Sequence, residues 1–143
     1  MLLLLRLRTL ASRVQFEIEF RDGSGPADVE ITLSGALDPV DFRRFTETLN
    51  ADPHFRAGLI MLVDVTGLDT SDVTPNRLQV LSEPVIERDW TYPPRVVAIV
   101  APDPQTLAAA RAYRAHLGGS KSNRHIFTTR AEAVAWLEDL QPG

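Results

Sequence analysis

Asp64, Asp69, Asp72 and Thr74 fall close together in the stretch Leu62-Val63-Asp64-Val65-Thr66-Gly67-Leu68-Asp69-Thr70-Ser71-Asp72-Val73-Thr74-Pro75. Carboxylates at the carboxyl end of a buried strand could hold a hard cation such as Mg²⁺, which takes oxygen ligands and keeps water positions open, or could act as an acid or base. The same acids are ordinary ahead of a helix N-terminus, where they are solvated or cap free N–H groups. No metal is assigned to them. Thr74 before Pro75 fits a helix start: its hydroxyl oxygen can accept from a free N–H of the first turn, and proline at the first helical position needs no partner. A phosphate there would be stabilised by the same N–H groups and the helix dipole, so Thr74 is a cap and also a candidate phospho-acceptor.

Cations gather in Gly118-Gly119-Ser120-Lys121-Ser122-Asn123-Arg124-His125. A Walker loop runs from strand to helix and ends in adjacent Gly-Lys, whereas this segment runs from helix to strand and reads Gly-Ser-Lys. It is therefore a connection, with Lys121 and Arg124 open to an anion or an acidic partner. Trp90 and Tyr92 stand in Trp90-Thr91-Tyr92-Pro93-Pro94, read as a loop. Large aromatics in such a loop could anchor a partner or line an apolar pocket, and otherwise pack on the domain. His54, His116 and His125 include no pair at the helical spacing of a zinc site. The absence of cysteine excludes thiol nucleophiles and thiolate metal sites, and no Gly-x-Ser-x-Gly elbow supports a serine hydrolase. No catalytic residue is assigned and no cofactor is expected.

A length of 143 residues fits one domain. With 44% apolar and 24% charged residues the chain has the composition of an ordinary soluble protein. No apolar run approaches the roughly 18 residues of a bilayer crossing. A net charge of −4 opposes a general nucleic-acid binder, because phosphate binding wants a clustered basic surface. A cytoplasmic protein is expected.

Residues 1–13 form an apolar N-terminal segment, expected to pack on the domain of residues 14–143 or to serve self-association. It lacks the form of a signal peptide, since its charges follow the apolar run. Leu3, Leu7, Leu10 and Val14 suit a helix while Leu3, Leu5 and Leu7 alternate as in a strand, so periodicity leaves both open. Attachment to a membrane surface through Arg6, Arg8 and Arg13 is the least favoured use.

Positioning these residues takes a sheet and helices. Val14, Phe16, Ile18 and Phe20 alternate with polar neighbours, and so do Val29, Ile31 and Leu33 across a turn, which predicts an antiparallel hairpin opening the sheet. Asp38-Pro39, Thr74-Pro75 and Asp103-Pro104 each start a helix by a cap followed by proline, and Thr129-Arg130-Ala131-Glu132 is a capping box. Phe42, Phe45 and Leu49 make the first buried stripe, and Leu78, Leu81 and Val85 the second, with Pro84 expected to bend or stop that helix. Residues 59–65 and 96–100 are apolar almost throughout, as in strands covered on both faces. Residues 66–68 are read as a turn, residues 125–128 as a last strand, and Gly118-Gly119 as a left-handed helix end. The order is β-β-α-β-α-β-α-β-α: an α/β single domain, a mixed sheet of about five strands with parallel central strands, flanked by about four helices.

Four segments then carry a family resemblance: Leu33-Ser34-Gly35-Ala36-Leu37 before the Asp38-led helix, Leu62-Val63-Asp64-Val65 with Thr66-Gly67-Leu68, Arg95-Val96-Val97-Ala98-Ile99-Val100, and Phe127-Thr128 with Ala131-Glu132-Ala133-Val134-Ala135-Trp136-Leu137. Together they make the chain resemble the STAS-like superfamily, in its SpoIIAA-like branch of small bacterial proteins related to anti-sigma-factor antagonists. The resemblance spans roughly residues 14–140, through the order and spacing of the segments. In the phosphorylated antagonists an Asp-Ser-Ser-Gly-type element carries the regulatory serine. That element falls on Asp72-Val73-Thr74-Pro75, with valine for the first serine and proline for the glycine, which favours Thr74 as a cap. The resemblance implies a non-enzymatic module for protein association or small-ligand binding, with a homodimer as the expected state. The alternatives are a small enzyme with a carboxylate site at Asp64, Asp69 or Asp72, and a lipid or apolar-ligand binder.

Overall fold

The computed structural model describes residues 5–8, 14–21, 25–52, 59–71, 73–91, 95–118 and 122–140. The elements are β1 (Leu5–Arg8), β2 (Val14–Phe20), β3 (Val29–Ala36), α1 (Pro39–Ala51), β4 (Ile60–Asp69), α2 (Pro75–Thr91), β5 (Val96–Val100), α3 (Pro104–His116), β6 (Asn123–Phe127) and α4 (Arg130–Leu140). The six strands follow one another across a single sheet in chain order. The protein is therefore the expected α/β domain, with one strand more. That strand is β1, which pairs antiparallel with β2 and takes the edge that the hairpin was expected to hold. The described part of the apolar N-terminal segment is thus extended, which resolves what its periodicity left open.

β2 and β3 are antiparallel, and β3 through β6 run parallel. A right-handed crossover that always advances in one direction puts its helix on the same face each time. Hence α1, α2 and α3 share one face. The α4 helix follows the last strand, returns to no further strand, and covers the other face with Ala133 and Leu137 on Leu62, Ala98 and Val100. Two apolar layers result, with the parallel strands between them.

Local chemistry accounts for the helix starts. Asp38 accepts from the Val40 and Asp41 N–H groups at 2.9 and 3.2 Å, and Asp103 from Gln105 and Thr106, both at 3.2 Å. Thr129 accepts from the Glu132 N–H at 3.2 Å, the first bond of a capping box, and its hydroxyl donates to the Glu132 carboxylate at 2.9 Å. The Leu117 N–H bonds to the Tyr113 and Arg114 carbonyls at the end of α3, and Gly118 does not take the left-handed conformation expected of it; among the described residues only Gly35 has a positive φ, of 83°.

Three boundaries differ from expectation. β4 does not turn after Val65 but pairs on through Gly67, Leu68 and Asp69 with Ser34, Gly35 and Ala36, after a register shift between Thr32 and Ser34. Gly67 serves close approach there: a Cβ on it would lie 3.2 Å from that of Ser34. α2 runs through Pro84 without stopping, because Leu81, Pro84 and Val85 are all buried and their packing offsets the lost backbone bond. Trp90 and Thr91 are the last residues of α2, not loop residues. Finally, β6 begins at Asn123, two residues earlier than read.

Candidate functional site

The two sequence clusters fare differently. Asp64 lies inside β4, opposite Thr32 and Val100, where its carboxylate accepts from the Thr66 N–H at 2.9 Å and from the Thr66 hydroxyl at 2.5 Å. Strand alternation sends it to the opposite face from Val63 and Val65. Asp69 is exposed at the end of β4, and hydrogen bonds from the Ser71 amide and hydroxyl hold it below the ordinary carboxylate range. Each acid is taken up by its own local turn, Asp64 by Thr66 and Asp69 by Ser71, and Asp72 lies outside the described residues. Among the described residues no group of three or more His, Asp or Glu side chains is placed to hold a metal ion.

Thr74 caps α2. Its carbonyl accepts from Leu78 at 2.9 Å, and its hydroxyl oxygen accepts from the Arg77 N–H at 3.3 Å. Replacing Thr74 with Ala should therefore lower stability by about 1 kcal/mol, read as a shift in the urea midpoint. Thr74→Ser should recover most of it; equal losses in both variants would show that the hydroxyl does not cap.

Arg124 is the cation of the second cluster that the structure uses. Instead of lying in a connection it sits in β6, 7% exposed, and alternates with His125, whose ring packs 4.6 Å from Trp136 on the α4 side. Lys121, Tyr92 and His54 lie outside the described residues, and His116 is exposed at the end of α3. Trp90 is placed in α2 by its backbone alone.

Arg124 leads to a group that the motifs missed. Its Nη2 donates to Asp89 Oδ2 at 2.8 Å, Arg95 Nη2 donates to Asp89 Oδ1 at 3.3 Å, and Arg88 Nη1 stands 3.9 Å from the same oxygen. The Asp89 side chain is 1% exposed. Arg95 also places Nη1 3.6 Å from Met61 Sδ. Burial, reinforced by the charge of Arg88 and then of Arg124, lowers the Arg95 guanidinium to about 10 against the opposing pull of Asp89. It keeps its charge at neutral pH. A sequence signal for this group did exist: Arg88 and Asp89 continue the Leu78, Leu81, Val85 spacing of the buried α2 stripe.

Arg95 and Arg124 line one end of a cavity of about 150 Å³ between the sheet and the helices α1, α2 and α3. Its floor is the alternating set Met61, Val63 and Val65 of β4 with Val97 and Ile99 of β5. Its roof includes Phe45 of α1, Leu81 of α2 and Ala110 of α3. Phe45 is held flat on Phe16, with ring centroids 3.7 Å apart, and Phe42 meets Tyr113 edge-on at 6.3 Å. Asn50 and Tyr113 stand at the arginine end, where the helices finish and the strands begin, and Thr70 stands at the other. Burial pushes the Tyr113 phenol up to about 12, so it stays neutral and able to donate. Thr46 and Thr106 also line it, and the remaining walls are apolar.

Comparison of the chain with protein-family models, with curated proteins and with solved structures finds no match in any of the three. No helix among the described residues is long and apolar enough to cross a membrane.

Proposed function

We propose that this chain is a non-enzymatic binding module of the STAS-like type whose cavity under α1, α2 and α3 holds a small, largely apolar ligand. The cavity is the observation that carries this reading. Close-packed interiors have few voids larger than a water molecule, and a void of this volume has room for a guest of about benzene size. The local hydrogen bonds that take up Asp64 and Asp69, from Thr66 and Ser71, count against the carboxylate enzyme. The opposite face is the internal contrast: under α4, Ala133 and Leu137 are fully buried with no accessible area left, as in an ordinary core.

A filling substitution tests this. Ala110→Leu adds an isopropyl group to a residue that lines the cavity. Benzene should shift the methyl resonances of Val63, Leu81 and Val97 in the native protein, and Ala110→Leu should abolish those shifts while keeping the native melting temperature or raising it. If the variant instead loses about 1–3 kcal/mol, as an overpacked core does, or if benzene moves none of these methyls, the space is not a binding site.

A further inference from the structure

The charge at one end of the cavity defines the ligand more closely, an inference that rests on the cavity being a ligand site. Among the described residues, the guanidinium groups of Arg88, Arg95 and Arg124 gather around the one carboxylate of Asp89, and all four side chains are buried. Two of these guanidiniums, those of Arg95 and Arg124, line the cavity itself. Positive charge collected in an apolar, water-poor site interacts with an incoming anion far more strongly than it would at the surface.

Two other polar atoms lie in the cavity. Thr70 is 7% exposed, and its Oγ1 is buried with no hydrogen-bond partner among the described residues; the same holds for Asn50 Oδ1. Asn50 and Tyr113 flank the arginine end.

The space between the two ends is lined by the row Met61, Val63, Val65 and Leu68, which runs along β4. An extended apolar chain fits such a row. The geometry points to a small amphipathic monocarboxylate, with an apolar chain of about six carbons laid along β4 and its carboxylate directed at Arg95 and Arg124. The planar fork of N–H donors in arginine matches the two oxygens of a carboxylate, and such charge-assisted bonds are about twice as strong as neutral ones. A neutral ligand of the same length would fill the same space without charge-assisted bonds to Arg95 and Arg124.

Hexanoate and hexan-1-ol share a six-carbon skeleton and differ in the head group, so they separate the head-group inference from the cavity. Both would be titrated into the full chain at neutral pH and followed by the methyl resonances of Val63, Leu81 and Val97. Hexanoate should bind at least about tenfold more tightly than hexan-1-ol, the equivalent of one charge-assisted bond. In Arg95→Met, which leaves Arg124 to pair with Asp89, most of that preference should disappear while hexan-1-ol binding persists. Equal binding of the two by the native protein overturns the carboxylate assignment and leaves the apolar cavity standing. A preference unchanged in both Arg95→Met and Arg124→Met overturns it as well. If hexanoate, hexan-1-ol and benzene all leave the methyls unmoved, the cavity reading fails and the ligand class fails with it. The native comparison needs no variant to fold.

Discussion

Asp89→Asn is expected to lose about 3–5 kcal/mol of folding stability, the cost of leaving buried charges without their counter-ion. The side chain keeps its shape in this substitution but loses its charge and exchanges one acceptor oxygen for an NH2 donor facing an arginine. Asp89 is 1% exposed and receives Arg124 at 2.8 Å and Arg95 at 3.3 Å, with Arg88 at 3.9 Å. In the variant three buried guanidiniums repel one another with no carboxylate of that group between them. For a domain whose total stability is of order 5–15 kcal/mol, a loss of this size is a large fraction of the whole. Urea unfolding measures it directly. A decrease below about 1 kcal/mol would place the group in the class of exposed ion pairs and contradict its burial. The double variant Asp89→Asn with Arg124→Met should recover part of the loss, because one unmatched charge leaves with the arginine. Coupling within such a pair is typically about 0.5–3 kcal/mol. The proposed ligand enters the same balance: hexanoate supplies the missing negative charge, so it should raise the melting temperature of Asp89→Asn by more than it raises that of the native protein.

How far the sequence foretold this site depends on what each residue must do. Helix starts were legible because their cause is local: Asp38, Asp103 and Thr129 each satisfy N–H groups within three residues of themselves. Buried strands were legible from their apolar runs. The extension of β4 past Val65 was not, since Gly67 looks like a turn residue until Ser34 of the neighbouring strand is placed 3.2 Å from where its Cβ would be. Helix α2 was cut short for a related reason, as a local penalty at Pro84 was outweighed by packing onto the sheet.

The arginine group shows the same limit more sharply. Asp89 and Arg124 are 35 residues apart, and Arg124 reaches Asp89 only once β6 lies beside β5 with Val97 opposite Arg124. Motif spacing cannot register a pair of that kind. Charged residues continuing a buried stripe were the available sign, whereas the conspicuous acids Asp64 and Asp69 each accept from a residue two places on, Thr66 and Ser71.

Leu137→Ala is expected to have the second large effect, a loss of about 2–5 kcal/mol, and the reason lies in the asymmetry of the two layers. Three helices share the cavity face, but among the described residues the other face is covered by one helix, α4, through Ala133 and Leu137, both fully buried, and the half-buried Val134 and Trp136, with Ala27 beside them. Leu137 packs in one cluster with Leu62 of β4 and with Ala98 and Val100 of β5, so its truncation opens a void against the two central strands. Two alanines on opposite faces make the contrast measurable. Ala133→Leu forces an isopropyl group into a filled layer and should cost about 1–3 kcal/mol, while the same change at Ala110 enters the cavity and should cost nothing. Thermal unfolding of Leu137→Ala, Ala133→Leu and Ala110→Leu measured side by side decides the matter. Similar losses in the two alanine variants would mean that both faces are packed alike, and the space beneath α1, α2 and α3 would then have no claim to hold a ligand.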